Sequence, residues 1–147
     1  MIAATHTVEI DRPVSEVFDY VIDQRNEPKW HTDVVDAEPK APIELGSTVT
    51  WTVRFMGENQ YVSEVTAFEP SRFIRIDGRE GPLKPTLTHA FEQNNGTTRY
   101  TRSVSIPTEG MFRLVGPIMK AARVADRRNA GFAENLKTLL EDSTTQT

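Results

Sequence analysis

The chain contains no cysteine. Disulfides, thiolate nucleophiles and cysteine-based zinc sites are therefore excluded. It has no apolar run near the roughly 20 residues that a membrane-spanning helix needs. It has no positive excess: 17 Lys and Arg stand against 21 Asp and Glu, a formal net charge of −4. No global basic field argues for nucleic acid or an anionic membrane as a partner. Histidine is scarce. His6, His31 and His89 lack metal-ligand spacing, so neither a metal nor a cofactor is expected. There is no G-x-S-x-G elbow, no phosphate-cradling glycine loop and no carboxylate pair on an expected inward face, which argues against serine hydrolysis and nucleotide chemistry. Met1 to Glu9 read as a strand rather than as a charged stretch followed by an apolar one. No signal peptide is read there, and the expected compartment is the cytoplasm.

What is present fits one ordinary domain. The 147 residues are 37% apolar and 26% charged, enough for one real core. No repeat or low-complexity segment occurs. The expected domain covers residues 1–141, with 142–147 as a frayed polar tail. Ile2, Ala4, His6, Val8 and Ile10 alternate with more polar neighbours, as in a half-buried strand. Asp11 then precedes Pro13, a good first-turn residue. Val14, Val17, Phe18 and Val21 recur at helical spacing, and Asn26 to Trp30 can form a second helical turn before a strand near Val34 to Lys40.

The middle of the chain reads as a meander. Thr48 to Met56, Tyr61 to Phe68, Phe73 to Asp77, Thr86 to Gln93 and Thr98 to Ile106 are strand-like, separated by turns rich in Gly, Pro and Asn. Asn95-Gly96 suits a two-residue type I′ hairpin. That register places Phe91 opposite Tyr100, His89 opposite Arg102 and Leu87 opposite Val104 on one face, with Glu92 and Arg99 paired on the other. At Gly57 a three-residue loop would set Phe55 against Tyr61, Val53 against Ser63 and Trp51 against Val65. Around Pro70, Val65 would oppose Ile76 and Ala67 would oppose Ile74, leaving Phe68 and Phe73 on the other face at a corner.

The longest periodic segment is the last. From Met111 to Glu141, with Gly116-Pro117 breaking or kinking its start, apolar residues fall in one arc. They include Met111, Val115, Ile118, Ala121, Ala122, Ala125, Phe132, Leu136 and Leu140. Lys120, Arg123, Arg127 and Arg128 fall with acidic residues on the opposite arc, the pattern of a solvated face. Asn129 stands near the middle of the apolar arc.

Taken in order, the segments DRPVSEVFDYVIDQRNEPKWHTDVV, LGSTVTW, VTAFEPSRFIRI, THAFEQNNGTTRYTRSVSI, GMFRLVGPIMK and ENLKTLLE resemble the SRPBCC superfamily, START-like and of the polyketide cyclase/dehydrase type. The resemblance implies an α+β helix-grip fold: a seven-stranded curved antiparallel sheet around a long C-terminal helix, with two short helices after strand 1. It also implies a cavity between sheet and helix. Members bind lipids, sterols, polyketides or plant hormones, and some are cyclases, hydrolases or chaperone co-factors. Fold alone does not choose among these.

Strand parity turns Trp51, Val53, Phe55, Tyr61, Val65, Ile76, Phe91 and Tyr100 toward the helix arc, where they form either a pocket wall or a filled core. With Met111, Val115, Ile118, Met119 and Ala122 of the helix they are the expected ligand-binding set. His89, Arg102 and Asn129 also fall on apolar faces. A buried polar group without a partner costs about 1–3 kcal/mol, so such residues need partners or a purpose. Arg102 can hold a carboxylate or phenolate by a forked contact. His89 can act as acid or base, and Tyr100 can join it. Otherwise all three simply bond to protein groups or water. The resemblance places Trp30 and His31 where one end of the fold closes, with Trp30 as a packing anchor and His31 exposed. The loop Gly78 to Pro85 is either a gate or a plain connection.

The expected function is binding of a small apolar ligand (a lipid, polyketide or aromatic metabolite) as carrier or sensor, by a monomer or weak homodimer. One alternative is a cyclase or dehydratase in which His89 or Tyr100 moves protons and Arg102 holds an enolate. Another is a protein-interaction domain using Met111 to Val115.

Overall fold

The alternation at the N-terminus produces strand β1 (Ile2–Ile10), whose even-numbered residues are mostly buried. The structure is a computed structural model that describes residues 1–55, 57–107 and 115–142, with the side chains of the last stretch from residue 120 onward. After β1 come the short helices α1 (Val14–Ile22) and α2 (Glu27–Trp30), then strand β2 (Val34–Glu38). Pro13 is the N-cap of α1 rather than its first helical residue. Strands β3 (Thr48–Arg54), β4 (Glu58–Glu69), β5 (Phe73–Glu80), β6 (Thr86–Asn94) and β7 (Thr97–Ile106) form the meander, and helix α3 (Val115–Asp142) ends the described chain. The strands make one curved antiparallel sheet of seven, in the order β1-β7-β6-β5-β4-β3-β2. This is the expected helix-grip architecture.

The Asn95-Gly96 hairpin has the expected register: Phe91 faces Tyr100, His89 faces Arg102 and Leu87 faces Val104. The β3–β4 register differs from expectation. Trp51 faces Tyr61 rather than Val65, and Val53 faces Asn59 rather than Ser63. The last pair, Arg54 with Glu58, leaves Gly57 as the final loop residue, at φ +103. A three-residue loop places its positive-φ residue last, so the glycine ends the turn instead of starting it. The displacement keeps side-chain parity, and the inward face is unchanged. Between β4 and β5, Val65 faces Ile76 as expected, but the register then shifts, so Ala67 faces Arg75 and Phe68 faces Ile74. This bulge turns Phe68 inward, where its ring meets Phe18 at 5.5 Å. Strand β5 also runs past Asp77 through Gly78. A Cβ there would lie 2.9 Å from Pro85 Cδ and 3.0 Å from Lys84 Cα, so glycine lets residues 84–85 cross close to the strand.

Helix α3 packs on β1, β7 and α2. Among its described side chains, Asn129, Phe132, Ala133, Leu136 and Leu140 are buried. It continues through Asp142. Met111 and Leu114 lie outside the described residues, as do the side chains of Val115, Ile118 and Met119. The buried core gathers Val8, Ile10, Val17, Phe18, Trp30, Tyr100 and the large residues of the C-terminal half of α3.

Candidate functional site

Side chains on the inward face change size along α3. Leu136 and Leu140 fill the gap at one end, and Phe132 stands between that end and the cleft, which it also lines. Toward the N-terminal end of the helix come Ala121, Val124 and Ala125, and here a cleft of about 590 Å³ opens between helix and sheet. Its sheet wall is Trp51 and Val53 of β3, Tyr61 of β4, Leu87 of β6, and Val104 and Ile106 of β7, with Phe55 beyond the end of β3. Leu83 and Pro85, from the connection that crosses Gly78, and Ile2 of β1 add to the apolar lining. The polar lining is Arg102, Asn129, His31, Asp33 and Arg128, with Ser63 of β4 and Lys120 of α3.

Arg102 marks the border between cleft and filled core. It is 3% exposed. Its Nη1 donates to Asn129 Oδ1 at 2.6 Å, and Asn129 Nδ2 donates back to the Arg102 carbonyl at 2.9 Å. Asn129 thus stands on the apolar arc because it answers both the side chain and the backbone of β7. The guanidinium carbon lies 5.1 Å from the Phe132 ring centre and 5.9 Å from that of Trp30, within cation–π range. No carboxylate among the described residues forms a salt bridge with it, and its Nε has no hydrogen-bond partner.

His31 is buried, not exposed as its position after a helical turn implies. Its ring packs 4.4 Å from Phe132 and 5.2 Å from Trp51, centre to centre. Its Nδ1 shares a 2.8 Å hydrogen bond with Oε2 of Glu27, itself 1% exposed. Burial pushes the Glu27 carboxyl up to about 8, against the pull of Arg102. Burial, and then Arg102, hold the His31 imidazole well below its ordinary range. Beside this pair, Arg128 donates through Nε to Asp33 Oδ2 at 2.9 Å and through Nη2 to Oδ1, while its guanidinium lies 4.3 Å from the Phe55 ring centre. The solvated-face reading of Arg128 is thereby corrected: the side chain folds over the cleft because Asp33 and Phe55 offer charge and a ring face there.

Of the sequence-expected site residues, Trp51, Val53, Phe55, Tyr61, Arg102 and Asn129 come together on the cleft. Val65, Ile76, His89, Phe91 and Tyr100 do not line it; they are buried in the filled core. His89 Nδ1 and Tyr100 Oη share a 2.6 Å hydrogen bond. Burial lowers the first group's pKa and raises the second's. Trp30, an anchor as expected, is fully buried with its ring 6.0 Å from His89 and 6.3 Å from Tyr100. Ala122 is half-buried beside the cleft but not on it. His6 is part-exposed, its Nε2 3.2 Å from Glu134 Oε1. Sequence reasoning missed Glu27 as an inward carboxylate. The available signal was its spacing from His31, one helical turn, which puts both on one face.

A curved antiparallel sheet of seven strands closed over by a long C-terminal helix, with two short helices after the first strand, defines a START-like helix-grip protein of the SRPBCC type. The chain belongs to the family of polyketide cyclases/dehydrases and lipid transport proteins, which it matches over residues 1–141. No curated protein matches it. Among solved structures it is similar to a START superfamily protein from Mycobacterium smegmatis, at 16% identity and a TM-score of 0.67, over 98% of this chain and 97% of that one. A polyketide cyclase-like protein from Corynebacterium glutamicum gives 16% and 0.70, over 99% and 94%. DynU16, encoded in the dynemicin biosynthetic locus, gives 20% and 0.69, over 97% of this chain but only 48% of DynU16, so the chain spans about half of that protein. At these identities the likeness is one of fold. Among the described residues no helix is long and apolar enough to cross a membrane.

Proposed function

We propose that the protein binds a small, mainly apolar molecule in the cleft between α3 and the sheet, as a carrier or sensor. The observation that carries this reading is the cleft itself: about 590 Å³, walled mainly by aliphatic and aromatic side chains, with a few polar groups among them. That combination falls in the size range of roughly 300–1,000 Å³ and in the lining chemistry typical of small-molecule sites. The membership of a family that includes lipid transport agrees with it. The enzymatic alternative, with His89 or Tyr100 moving protons, has less support: the two are bonded to each other in the filled core. The interaction surface at Met111 to Val115 lies outside the described residues, apart from the backbone of Val115.

The test is titration with the neutral fluorescent probe N-phenyl-1-naphthylamine. A saturable one-to-one enhancement is expected. Ala125→Phe, which fills the cleft from the helix side, should weaken binding by roughly tenfold or more through lost apolar contact, with little change in melting temperature. No saturable binding to the folded protein, or full binding by a folded Ala125→Phe variant, contradicts the reading.

A further inference from the structure

A cation buried without a counter-charge is the least expected feature of this core. Arg102 is 3% exposed, yet among the described residues it has no salt bridge. Among the described residues Nη1 alone of its three nitrogens has a partner, the neutral Asn129 side chain, and the buried Nε has none. Removing a charge from water without pairing it is strongly unfavourable, and such groups are ordinarily paired or neutralised. The carboxylates that act on it from nearby do not pair with it. Asp33 is engaged by Arg128, and Glu27 is bonded to His31.

His31 stands against the same two rings, Phe132 and Trp30, as Arg102, and it too lines the cleft. With Nδ1 taken by Glu27, its Nε2 is the ring nitrogen without a partner among the described residues. Resting on the reading of the cleft as a binding site, we propose that its occupant is an apolar molecule ending in a carboxylate, held by Arg102 and His31 together. A carboxylate fits better than a phenolate. It is ionised at neutral pH, and its two oxygens can take donors from two side chains at once.

Glu27 sets which nitrogen of His31 carries the hydrogen. Burial keeps its proton on up to about pH 8, and keeps the imidazole neutral. A protonated carboxyl donates to Nδ1, which leaves the imidazole hydrogen on Nε2. The polar end of the cleft then offers donors: Arg102 and the Nε2–H of His31. Asn129 spends its amide on the Arg102 carbonyl, and Trp51 Nε1 donates to Gln24 Oε1 at 2.8 Å. Glu27 is thus a positioning residue that acts through His31.

The experiment compares two probes of equal length, dodecanoate and dodecan-1-ol, by displacement of N-phenyl-1-naphthylamine at pH 7. Wild-type protein should bind the acid at least about tenfold more tightly than the alcohol, since a charge-assisted hydrogen bond in a desolvated site is worth more than a neutral one. Arg102→Met should abolish that preference while leaving the alcohol's affinity within about threefold, and His31→Phe should reduce it. The wild-type comparison needs no variant, so a misfolded Arg102→Met protein leaves the proposal testable. Equal affinity for acid and alcohol in the wild type overturns the carboxylate proposal and leaves the binding site standing. Equal loss of both probes in a folded Arg102→Met variant also overturns it. Failure of the wild type to bind the fluorescent probe or either chain overturns the binding site as well.

Discussion

Near Tyr100, the inward face of the sheet is packed shut: Phe18, Trp30, His89, Phe91 and Tyr100 stand ring against ring, with Leu136 and Leu140 of α3 on top. Near Ile106, the same sheet and the same helix leave a cleft of about 590 Å³. The backbone elements are shared. What differs is what α3 contributes: Leu136 and Leu140 at one end, Ala121, Val124 and Ala125 at the other, with Phe132 between them. One helix thus anchors the fold with its C-terminal half and leaves room along Ala121 to Ala125. Arg102 and Asn129 stand at the division. The contrast teaches that the polar groups of this interior mark the boundary between the two regions.

The largest expected difference concerns truncation. Trp30→Ala at the closed end should cost about 3–5 kcal/mol in urea unfolding, because it leaves a cavity in a packed core. Val124→Ala at the cleft should cost well under half of that. Similar losses would mean that both ends are equally packed.

Next comes pH. A carboxyl held near 8 in the folded state and near its ordinary value when unfolded binds its proton more tightly in the native protein. Its contribution to stability is complete below the unfolded value and is lost as pH rises through about 8. His31 and His89 act in the opposite sense: held neutral by burial, they contribute above the ordinary histidine range and lose that contribution as pH falls. Stability should therefore be greatest near pH 6–7. Glu27→Gln should flatten the alkaline fall and leave the acid one. An unchanged alkaline limb in chemical denaturation would contradict the assignment of that limb to Glu27.

The smallest effect is the most diagnostic of the asymmetry. Ala133→Leu adds bulk to the closed end and should destabilise by about 1–3 kcal/mol. Ala125→Leu adds the same bulk to the cleft and should change stability by less than about 0.5 kcal/mol while weakening probe binding. Equal destabilisation by the two would remove the distinction.

Much of this arrangement was legible before any coordinates. Asn95-Gly96 dictates its own turn, so the partners of Phe91, His89 and Leu87 followed from local chemistry. The apolar arc of α3 followed from helical period. Less legible were features set by residues distant in the chain. The burial of His31 needs Phe132 and Trp51 on either side of it. The inward turn of Phe68 needs a bulge that parity counting cannot see. Arg128 reads as a solvated charge until Asp33 and Phe55 are placed beside it. For the site, parity named the inward residues but not how much space lay above each, because that depends on which residue of α3 stands opposite. His89 and Arg102 therefore looked equivalent, although only Arg102 reaches the cleft.

The two ends of the interior differ in what they admit. Methyl-resolved NMR titration with dodecanoate tests it directly. Shifts confined to Ile2, Val53, Leu83, Leu87, Val104, Ile106 and Val124, with Val8, Ile10, Leu136 and Leu140 unmoved, are the predicted result. Shifts concentrated on the second group, or no saturable shift on the first, would contradict it.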